Sequence, residues 1–431
     1  LYDSVRQVYK KTLRDGSTEE YTYHPGGQLA TVKNALGQIT SYEYDKNGNA
    51  TEVINPAGGK VTYTYNSLGN LTAIKNPLNQ VTSFYYDELG RTEKIVGPKE
   101  STQTFKHDEL NRLIETVDPL NRLHKWTYNA ADNTSLYTRP DGTKLTYKYN
   151  NRGQMSEFIN AMGEKTAWTY DKAGRPTVIV DPLGQKTQFS YNILDQVTKE
   201  TLPNNAVKEY KYNDAGRLYA VINPLGQITT LSYDSFGRVI KSEDIKGATS
   251  YTYDVMGRTL SLTNPLKQTV TWEYDKLGRV KEMVDPLQGK IEYQYNPLGQ
   301  AEMVKQPNGA EQRMQYDALG RLTSLTDPLG RNTSYQYDEF GNVKAVTDAL
   351  GQTSSMEYNS AGELVSVTDP AGNKTQYQYD KLGQLIKTIN ALNQAISLEY
   401  DQAGRLKQTT MTNGAVTSHK YDALGRAIET I

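Results

Sequence analysis

Residues 270–290 read VTWEYDKLGRVKEMVDPLQGK, and versions of this 21-residue stretch follow one another along the chain. Its signature is Tyr, then Asp or Asn, two variable residues, Gly, and usually Arg, Gln or Asn. The signature recurs 21 times, with His107 replacing one Tyr, and 19 of the 20 intervals are 21 residues long. The exception, from Tyr233 to Tyr253, is 20 residues. A fixed internal period of this length indicates a repeat architecture, so we expect one continuous array of about 20 repeats over residues 1–431, with no room for a separate domain.

The signature itself predicts a tight turn, which we call the Tyr turn. Gly fills its fifth position in 17 of 21 copies, and three of the four exceptions are Asn111, Asp132 and Asp195. Asn and Asp are the non-glycine residues that best tolerate a left-handed backbone, so this position is expected to have a positive φ. Arg6, in the first copy, is the outlier.

A second turn, the Pro turn, divides each repeat. It reads Asp or Asn, Pro, a variable residue and Gly, as at 181–184 and 327–330. Pro presets φ, Gly closes the turn, and Asp or Asn caps it. Where Pro is absent, as at 34–37, the replacement is still a turn sequence.

The segments between turns predict β-strands. In 270–274, aromatic residues alternate with polar ones, which is typical of a half-exposed strand with one aromatic face. After the Tyr turn, Leu322 and Leu325 are three apart, which predicts a strand with a bulge near its start. Each repeat is therefore predicted to be a two-stranded antiparallel hairpin, and the fold class all-β with about 40 strands.

Composition bears on how such a ribbon folds. Only 36% of the 431 residues are hydrophobic, and Tyr, at 33 copies, supplies much of that share. Disorder fits poorly, because the chain is 10% aromatic and its formal net charge is −1. A filled sandwich, dry solenoid or propeller needs more aliphatic residues. We therefore favour a long sheet that spirals around a wet interior, forming a hollow shell or part of one.

Several classes of function are disfavoured. The 48 basic and 49 acidic residues nearly cancel and form no long runs, which argues against nucleic-acid and membrane-surface partners. The sequence contains no run of about 18 apolar residues, so no membrane span is predicted. There is no Cys, no nucleophile elbow, no Walker loop and no zinc-protease motif, so we predict no enzyme and assign no catalytic, cofactor-binding or metal-binding residues.

Some residue types nevertheless invite a chemical interpretation. The four histidines, at positions 24, 107, 124 and 419, are scattered, and a metal site from them would need distant segments to converge. The turn residues Asp275, Asn296 and Asp317 would lie in a row, but turn capping explains alternating Asp and Asn better than calcium binding does. The sixth-position Arg is expected to pair with the Asp of the neighbouring repeat, worth about 0–1 kcal/mol. Stacked aromatics are expected to be a structural ladder more than a glycan site.

Strings such as Tyr316-Asp317-Ala318-Leu319-Gly320-Arg321-Leu322 resemble the YD repeats of the RHS family. The resemblance covers the whole chain and implies a β-strand spiral that builds a hollow shell. In bacterial polymorphic toxins and insecticidal toxin complexes of this family, the shell encloses a C-terminal toxin, and in animal teneurins a related barrel serves cell adhesion. Family toxins are cleaved at an Asp-Pro-x-Gly-Leu motif, but Gln185 and Arg331 follow the two Asp-Pro-Leu-Gly strings here, so both are expected to be ordinary turns.

The sequence and the resemblance together suggest a non-enzymatic scaffold, a secreted or cell-surface bacterial protein that sequesters an attached polypeptide until delivery. A C-terminal toxin is the expected cargo, and a secretion or delivery apparatus is a further expected partner. The chain is expected to be a stretch of a longer protein. The alternative is an extracellular adhesion module that binds a glycan or a protein.

Overall fold

The computed structural model describes residues 1–2 and 5–431, and its architecture is all-β. In that part of the chain it contains forty-one strands and one three-residue 3-10 turn, Pro98–Glu100. The even-numbered strands end on the repeat Tyr or on His107: β2 Thr18–Tyr23, β4 Ile39–Tyr44, β6 Lys60–Tyr65, β8 Val81–Tyr86, β10 Thr102–His107, β12 Leu123–Tyr128, β14 Lys144–Tyr149, β16 Lys165–Tyr170, β18 Lys186–Tyr191, β20 Val207–Tyr212, β22 Ile228–Tyr233, β24 Gly247–Tyr253, β26 Thr269–Tyr274, β28 Lys290–Tyr295, β30 Glu311–Tyr316, β32 Asn332–Tyr337, β34 Thr353–Tyr358, β36 Lys374–Tyr379, β38 Ala395–Tyr400 and β40 Val416–Tyr421.

The odd-numbered strands follow the Tyr turns, apart from β1, which begins the series: β1 Lys10–Thr12, β3 Leu29–Lys33, β5 Ala50–Ile54, β7 Leu71–Lys75, β9 Thr92–Val96, β11 Leu113–Val117, β13 Thr134–Thr138, β15 Met155–Ile159, β17 Pro176–Val180, β19 Val197–Thr201, β21 Leu218–Ile222, β23 Val239–Asp244, β25 Thr259–Thr263, β27 Val280–Val284, β29 Ala301–Lys305, β31 Leu322–Thr326, β33 Val343–Thr347, β35 Leu364–Thr368, β37 Leu385–Ile389, β39 Leu406–Thr410 and β41 Ala427–Thr430.

Strands that are consecutive in the chain pair antiparallel, and together they form one sheet. The register shifts by one residue at the Tyr-turn end of the hairpins. Trp272 lies opposite Met283, but Tyr274 lies opposite Val280, which leaves Lys281 as an extra residue. This is the bulge predicted near the start of the second strand, and the prediction is confirmed.

The carboxylate of Asp275 closes its Tyr turn from within. Its Oδ1 accepts hydrogen bonds from the backbone N–H of Leu277 (2.8 Å) and of Arg279 (3.0 Å), and the N–H of Gly278 donates to the Asp275 carbonyl at 3.0 Å. Asn296 accepts the same two bonds in the next repeat. An amide oxygen serves as well as a carboxylate, so turn capping explains the alternation of Asp and Asn.

The fifth position of the Tyr turn is left-handed in every described form. Gly278 has φ +82°, and the substitutes Asn111, Asp132 and Asp195 have φ between 61° and 63°. Arg6, the outlier in the sequence, has φ 65°. The prediction of a positive φ is therefore confirmed, and it extends to Arg6.

The Pro turns repeat the same capping with a different sequence. Oδ1 of Asp327 accepts from the backbone N–H of Leu329 (2.9 Å) and Arg331 (3.0 Å), and Gly330 donates to the Asp327 carbonyl at 2.9 Å. The turn that starts at Asp181 is closed in the same way. Both Asp-Pro-Leu-Gly strings are thus ordinary turns, as predicted.

The short repeat between Tyr233 and Tyr253 loses its residue at a Pro turn. Asp244 lies directly opposite Gly247, so two residues connect β23 and β24 where five connect the strands elsewhere, as between Val180 and Lys186. The sheet absorbs the deletion without a register shift in that hairpin.

The sheet has no dry core among the described residues. Only Ala220, Met303, Thr116 and Ser366 count as buried, and no described side chain is completely enclosed. The structure is a wall one sheet thick, in which most side chains are half-buried against their cross-strand neighbours. Such a wall needs few aliphatic residues, which agrees with the composition.

The chain divides into two compact units, each made of two separate segments. Unit 1 comprises Leu1–Glu100 and Leu231–Thr353, and unit 2 comprises Ser101–Thr230 and Ser354–Ile431. Within each unit, the Pro turns of the earlier segment lie against the Tyr turns of the later one. The ribbon therefore passes alongside an earlier part of itself, and the predicted fold class, an all-β spiralling sheet of tandem hairpins, is confirmed.

Candidate functional site: the tyrosine wall and its edges

The repeat tyrosines form a hydrogen-bonded ladder that crosses from one repeat to the next. The hydroxyl of Tyr295 donates to the carbonyl of Val280 at 2.7 Å, and that of Tyr316 donates to the carbonyl of Ala301 at 2.7 Å. At least sixteen described repeat tyrosines make this bond.

The acceptor of this bond lies at the bulge. Val280 is the residue opposite Tyr274, next to the extra residue of β27, where the regular ladder is interrupted. The hydroxyl from the following repeat satisfies its carbonyl. Partial burial raises the pKa of Tyr274, Tyr295 and Tyr316 above the ordinary value.

The sixth-position arginine pairs within its own turn, and the predicted pairing with the neighbouring Asp is wrong as a general rule. The Arg279 guanidinium contacts the Asp275 carboxylate at 2.6 Å and lies over the Tyr295 ring, 4.4 Å from its centroid. The arginine therefore links repeats through the ring of the next tyrosine. The prediction failed because the turn brings residues four apart in sequence closer together than residues in adjacent repeats.

Two arginines do reach an acidic residue in the next repeat. In both cases that acidic residue replaces the usual Gly of the Tyr turn. Arg112 contacts Asp132 at 2.7 Å, and Arg175 contacts Asp195 at 2.8 Å. Both partners occupy the left-handed position that usually holds Gly. The acidic side chain at that position therefore gains a cationic partner from the preceding turn.

The histidines do not converge. His24 Nε2 hydrogen-bonds the Tyr42 carbonyl at 2.8 Å, His419 contacts Thr430 at 3.1 Å, and His107 ends β10 opposite Leu113. Among residues 1–2 and 5–431, no group of three His, Cys, Asp or Glu is arranged to hold a metal ion.

In the same part of the chain, no helix has the length and apolar character needed to cross a bilayer.

His124 belongs to an aromatic stack in unit 2. Its ring lies 5.9 Å from that of Tyr137, with planes 5° apart, and the Trp126 ring lies 5.3 Å from that of Tyr137. Burial lowers the pKa of His124. His124 and Tyr137 also line an open, polar cavity beside Arg139 and Lys381.

The contacts between segments define the two edges of the ribbon. In unit 1, Gln80 of a Pro turn donates to the Glu339 carbonyl of a Tyr turn at 3.0 Å, and Lys99 contacts the Glu339 carboxylate at 2.8 Å. In unit 2, Arg405 of a Tyr turn contacts Glu164 of a Pro turn at 3.3 Å.

Two further contacts in unit 2 have the same pattern. Ser360 donates to the Pro119 carbonyl at 3.2 Å, and Arg122 pairs with Glu363 at 2.5 Å. These two and the Arg405–Glu164 pair each join residues 241 apart in sequence. We call the two sides of the ribbon the Pro-turn edge and the Tyr-turn edge.

Exposure of the large apolar residue in each turn follows these contacts. Where two edges meet, its exposed fraction is 37–43%: Leu36, Leu78, Met256, Leu277 and Leu319 in unit 1, and Met162, Leu183 and Leu424 in unit 2. In eleven other turns it is 60–91%: Leu68, Leu89, Phe236, Leu266, Leu287, Leu329 and Leu350 in unit 1, and Leu110, Leu194, Leu225 and Leu392 in unit 2. The apolar turn residue is therefore an edge contact.

Sequence reasoning missed both the acceptors of the ladder and the meeting edges. The carbonyl of Val280 is a backbone atom and leaves no mark in the sequence. Residues 241 apart carry no mutual signal either, because all turns have nearly the same sequence. A recurring apolar residue in polar turns was the one available clue.

The hairpin repeats, the tyrosine ladder and the contacts between turn edges identify the protein as a β-hairpin repeat protein that forms a single-sheet wall. The family model of the Teneurin YD-shell matches residues 1–123, 160–308 and 226–427, so the chain belongs to that family. The resemblance to RHS and YD repeats is thereby confirmed. No curated protein sequence matches the chain.

Solved structures agree on the fold. The crystal structure of TcdB2-TccC3-Cdc42 is similar with a TM-score of 0.73 at 14% identity, covering 96% of this chain and 30% of that one. The Tc holotoxin pore of Photorhabdus luminescens gives 0.59 at 13% identity, covering 96% and 29%. The crystal structure of TcdB2-TccC3 gives 0.55 at 13% identity, covering 98% and 32%. The chain thus spans about a third of the length of these proteins.

Proposed function

We propose that this chain is a non-enzymatic wall that encloses and sequesters an attached polypeptide, a C-terminal toxin, until delivery. The whole array, residues 1–431, forms that wall, with no separate toxin or catalytic domain. We place the protein outside the cytoplasm of a bacterium, secreted or at the cell surface, with a delivery apparatus as a further partner.

One observation carries the proposal: the wall satisfies its polar groups internally while remaining one sheet thick. The tyrosine hydroxyls bond to bulge carbonyls, and the turn carboxylates bond to backbone N–H groups. Such a surface offers few unpaired polar groups, so it holds an unfolded chain without binding it tightly. Family membership and the fold of the TcdB2-TccC3 structures support the same role.

Limited proteolysis of the native gene product, purified with every segment that its gene encodes, tests this function. We expect a C-terminal polypeptide that co-purifies with the wall and resists a protease concentration that digests the same polypeptide expressed alone. Loss of that polypeptide from the intact protein at the rate of the isolated control would overturn the proposal.

A second candidate is an extracellular adhesion module that binds a glycan. The stack of His124, Trp126 and Tyr137 supports it, because aromatic faces pack on sugar rings and the adjoining cavity supplies Arg139 and Lys381 as polar donors. A glycan array, repeated with Trp126→Ala, tests it. The matched control is Trp272→Ala, which changes the same repeat position in unit 1. Binding unaffected by Trp126→Ala would contradict this candidate.

A further inference from the structure

One cavity of unit 2 collects three departures from the repeat sequence. Arg139 begins a Pro turn where most repeats have Asp or Asn, and no other Pro turn begins with a basic residue. His124 and Tyr137 are the only His and the only Tyr at their positions in the repeat. All three line the same open cavity of about 660 Å³, together with Lys381. The substitutions therefore meet in a space of the size that ligand sites usually have.

One arginine of this cavity already has its charge balanced. Arg122 contacts the carboxylates of Asp118 and Glu363, each at 2.5 Å. Glu363 comes from the later segment of the unit and also accepts a hydrogen bond from Asn359 Nδ2 at 2.8 Å. Arg122 and Glu363 therefore hold the two segments together, and their charges neutralise each other.

Arg139 and Lys381 supply charge that is not balanced. Arg139 Nε donates to Thr143 Oγ1 at 2.7 Å and Nη2 donates to the Gln402 carbonyl at 2.5 Å, and both partners are neutral. Asp141, two residues on, accepts from the N–H and the hydroxyl of Thr143 instead. Across the residues that the structure describes, neither Arg139 nor Lys381 forms an ion pair with a carboxylate. The lining therefore attracts an anionic group, and the two printed bonds of Arg139 use only two of the five N–H donors of a guanidinium.

The aromatic wall beside these cations is neutral. The rings of His124 and Tyr137 lie 5.9 Å apart with planes 5° apart, and His124 Nδ1 is 2.6 Å from the Tyr137 hydroxyl. Burial lowers the pKa of His124, so its ring is uncharged at neutral pH. An inorganic anion would use the cations alone, whereas a ligand with an acidic group and a ring uses the cations and the aromatic wall together.

We propose that the cavity holds a sugar that carries a carboxylate, a uronic or a sialic acid. The carboxylate lies on Arg139 and Lys381, since a guanidinium binds a carboxylate through paired N–H groups, and the sugar ring lies against the aromatic wall. The inference rests on the second candidate function, glycan binding, and specifies which glycans are bound. Because Arg139 belongs to the earlier segment and Lys381 to the later one, the ligand also joins the two segments of unit 2.

Isothermal titration calorimetry of the chain with four probes tests the inference. The probes are a disaccharide ending in glucuronic acid, the methyl ester of that disaccharide, sialyllactose and lactose. The methyl ester keeps the sugar and removes the charge, and the two acidic probes distinguish a uronic from a sialic acid. We expect at least one acidic probe to bind with a Kd of about 1 mM or less, and its neutral counterpart to bind about tenfold more weakly.

Two variants separate the cavity from the fold. Arg139→Asn gives the turn the residue that begins the Pro turns at Asn160 and Asn390, so the turn should form as it does there. Lys381→Gln removes the second cation. Lys172→Gln is the matched control, because Lys172 occupies the same position of another Tyr turn in unit 2. The first two variants should each lose about tenfold in affinity for the acidic probe, and the control should bind like the wild type.

Acidic probes that bind no more tightly than their neutral counterparts would overturn the inference. Undiminished binding of the acidic probe by both Arg139→Asn and Lys381→Gln would overturn it as well. Glycan binding itself then still stands if neutral glycans on the array bind the wild type and lose binding with Trp126→Ala. An array on which no glycan binds, neutral or acidic, would overturn both.

Discussion

At the scale of the residue, the repeat tyrosine supplies a donor where the sheet has none. The bulge interrupts the ladder at Val280, and the Tyr295 hydroxyl fills the gap at 2.7 Å. A half-buried carbonyl without a partner costs more than an ordinary hydrogen bond gains, so the tyrosine is tied to the bulge. Phe is rare in the chain, with 6 copies against 33 Tyr, and it occupies none of the repeat-Tyr positions.

Removing one ladder hydroxyl should therefore lower stability measurably. We expect Tyr295→Phe to reduce the free energy of unfolding by about 1–2 kcal/mol in urea denaturation, because the Val280 carbonyl is left without its donor. Tyr335→Phe is the control, since Tyr335 lies on β32 two residues before the ladder position. An equal loss in both variants would show that the ladder bond contributes nothing special.

The turn carboxylates predict a loss of stability in acid. Burial alone would raise the pKa of Asp275, but hydrogen bonds from the Arg279 side chain and backbone outweigh it and lower the pKa below the usual value. In Asp171, the backbone and side-chain bonds from Arg175 are the leading causes of the same lowering. A folded-state pKa below that of the unfolded chain stabilises the fold at higher pH and loses that contribution as pH falls.

We accordingly expect the urea midpoint to be flat from pH 7 to about pH 5 and to fall below about pH 4, where unfolded Asp takes up protons. Denaturation followed by circular dichroism at each pH measures it. The tyrosines determine the alkaline side of the stability curve. Their pKa is higher in the folded than in the unfolded chain, so stability should fall only as the pH rises past about 10. A midpoint that rises on acidification would contradict the assignment.

At the scale of the element, hairpins whose Tyr turn ends in arginine are bound to the next by that arginine and a tyrosine as well as by backbone bonds. The Arg238 guanidinium pairs with Asp234 at 2.6 Å, donates to the Asp254 carbonyl at 2.9 Å and lies 4.7 Å from the Tyr253 ring centroid. One side chain thus holds its own turn and the next one. A planar guanidinium does this and an ammonium does not.

Arg238→Lys should test that double role. We expect a loss of about 1 kcal/mol in the free energy of unfolding, from the ring contact and from the charge-assisted bonds of Nε and Nη2 to Oδ2 of Asp234. Arg331→Lys is the matched control: Arg331 pairs with its own Asp327 in the same way, but its side chain is 65% exposed. Similar losses in both variants would mean that the in-turn pair, and not the contact with the next repeat, carries the effect.

Local features of the hairpin were predictable from sequence, because each depends on residues close in the chain. The left-handed position held by Asn111, the bulge after Tyr274 and the turns at Asp181 follow from backbone preferences of individual residues. The pairing of Arg279 was not predictable, because charge alone does not say which of two nearby carboxylates lies within reach. The carbonyl partner of Tyr295 depends on a bulge whose atoms carry no sequence signature.

At the scale of the whole molecule, stability is not simply a sum along the chain. In a linear repeat array, each repeat touches only its neighbours. Here the edges also meet at a distance of 241 residues, as Arg122 meets Glu363 and Arg405 meets Glu164 in unit 2. Unfolding one hairpin therefore exposes the edge of another far along the sequence, which raises cooperativity.

A double-mutant cycle on Arg405 and Glu164 measures this coupling. The two side chains are only 15–16% exposed, so we expect an interaction energy of about 1 kcal/mol or more between Arg405→Ala and Glu164→Ala. The control cycle combines Glu164→Ala with Arg426→Ala, whose side chain is 64% exposed and pairs with its own Asp422. Additivity in both cycles would show that the segments of unit 2 contribute independently.

The separation of 241 residues between contacting turns has a consequence for how such genes change length. It corresponds to about eleven and a half repeats, which is why a Pro turn meets a Tyr turn in these contacts. Duplicating or deleting a whole repeat shifts every later contact by one unit but leaves Pro turn facing Tyr turn. Unequal recombination in multiples of 63 nucleotides, three for each of the 21 residues in a repeat, is thus structurally silent, whereas a half-repeat change would set like edges against each other.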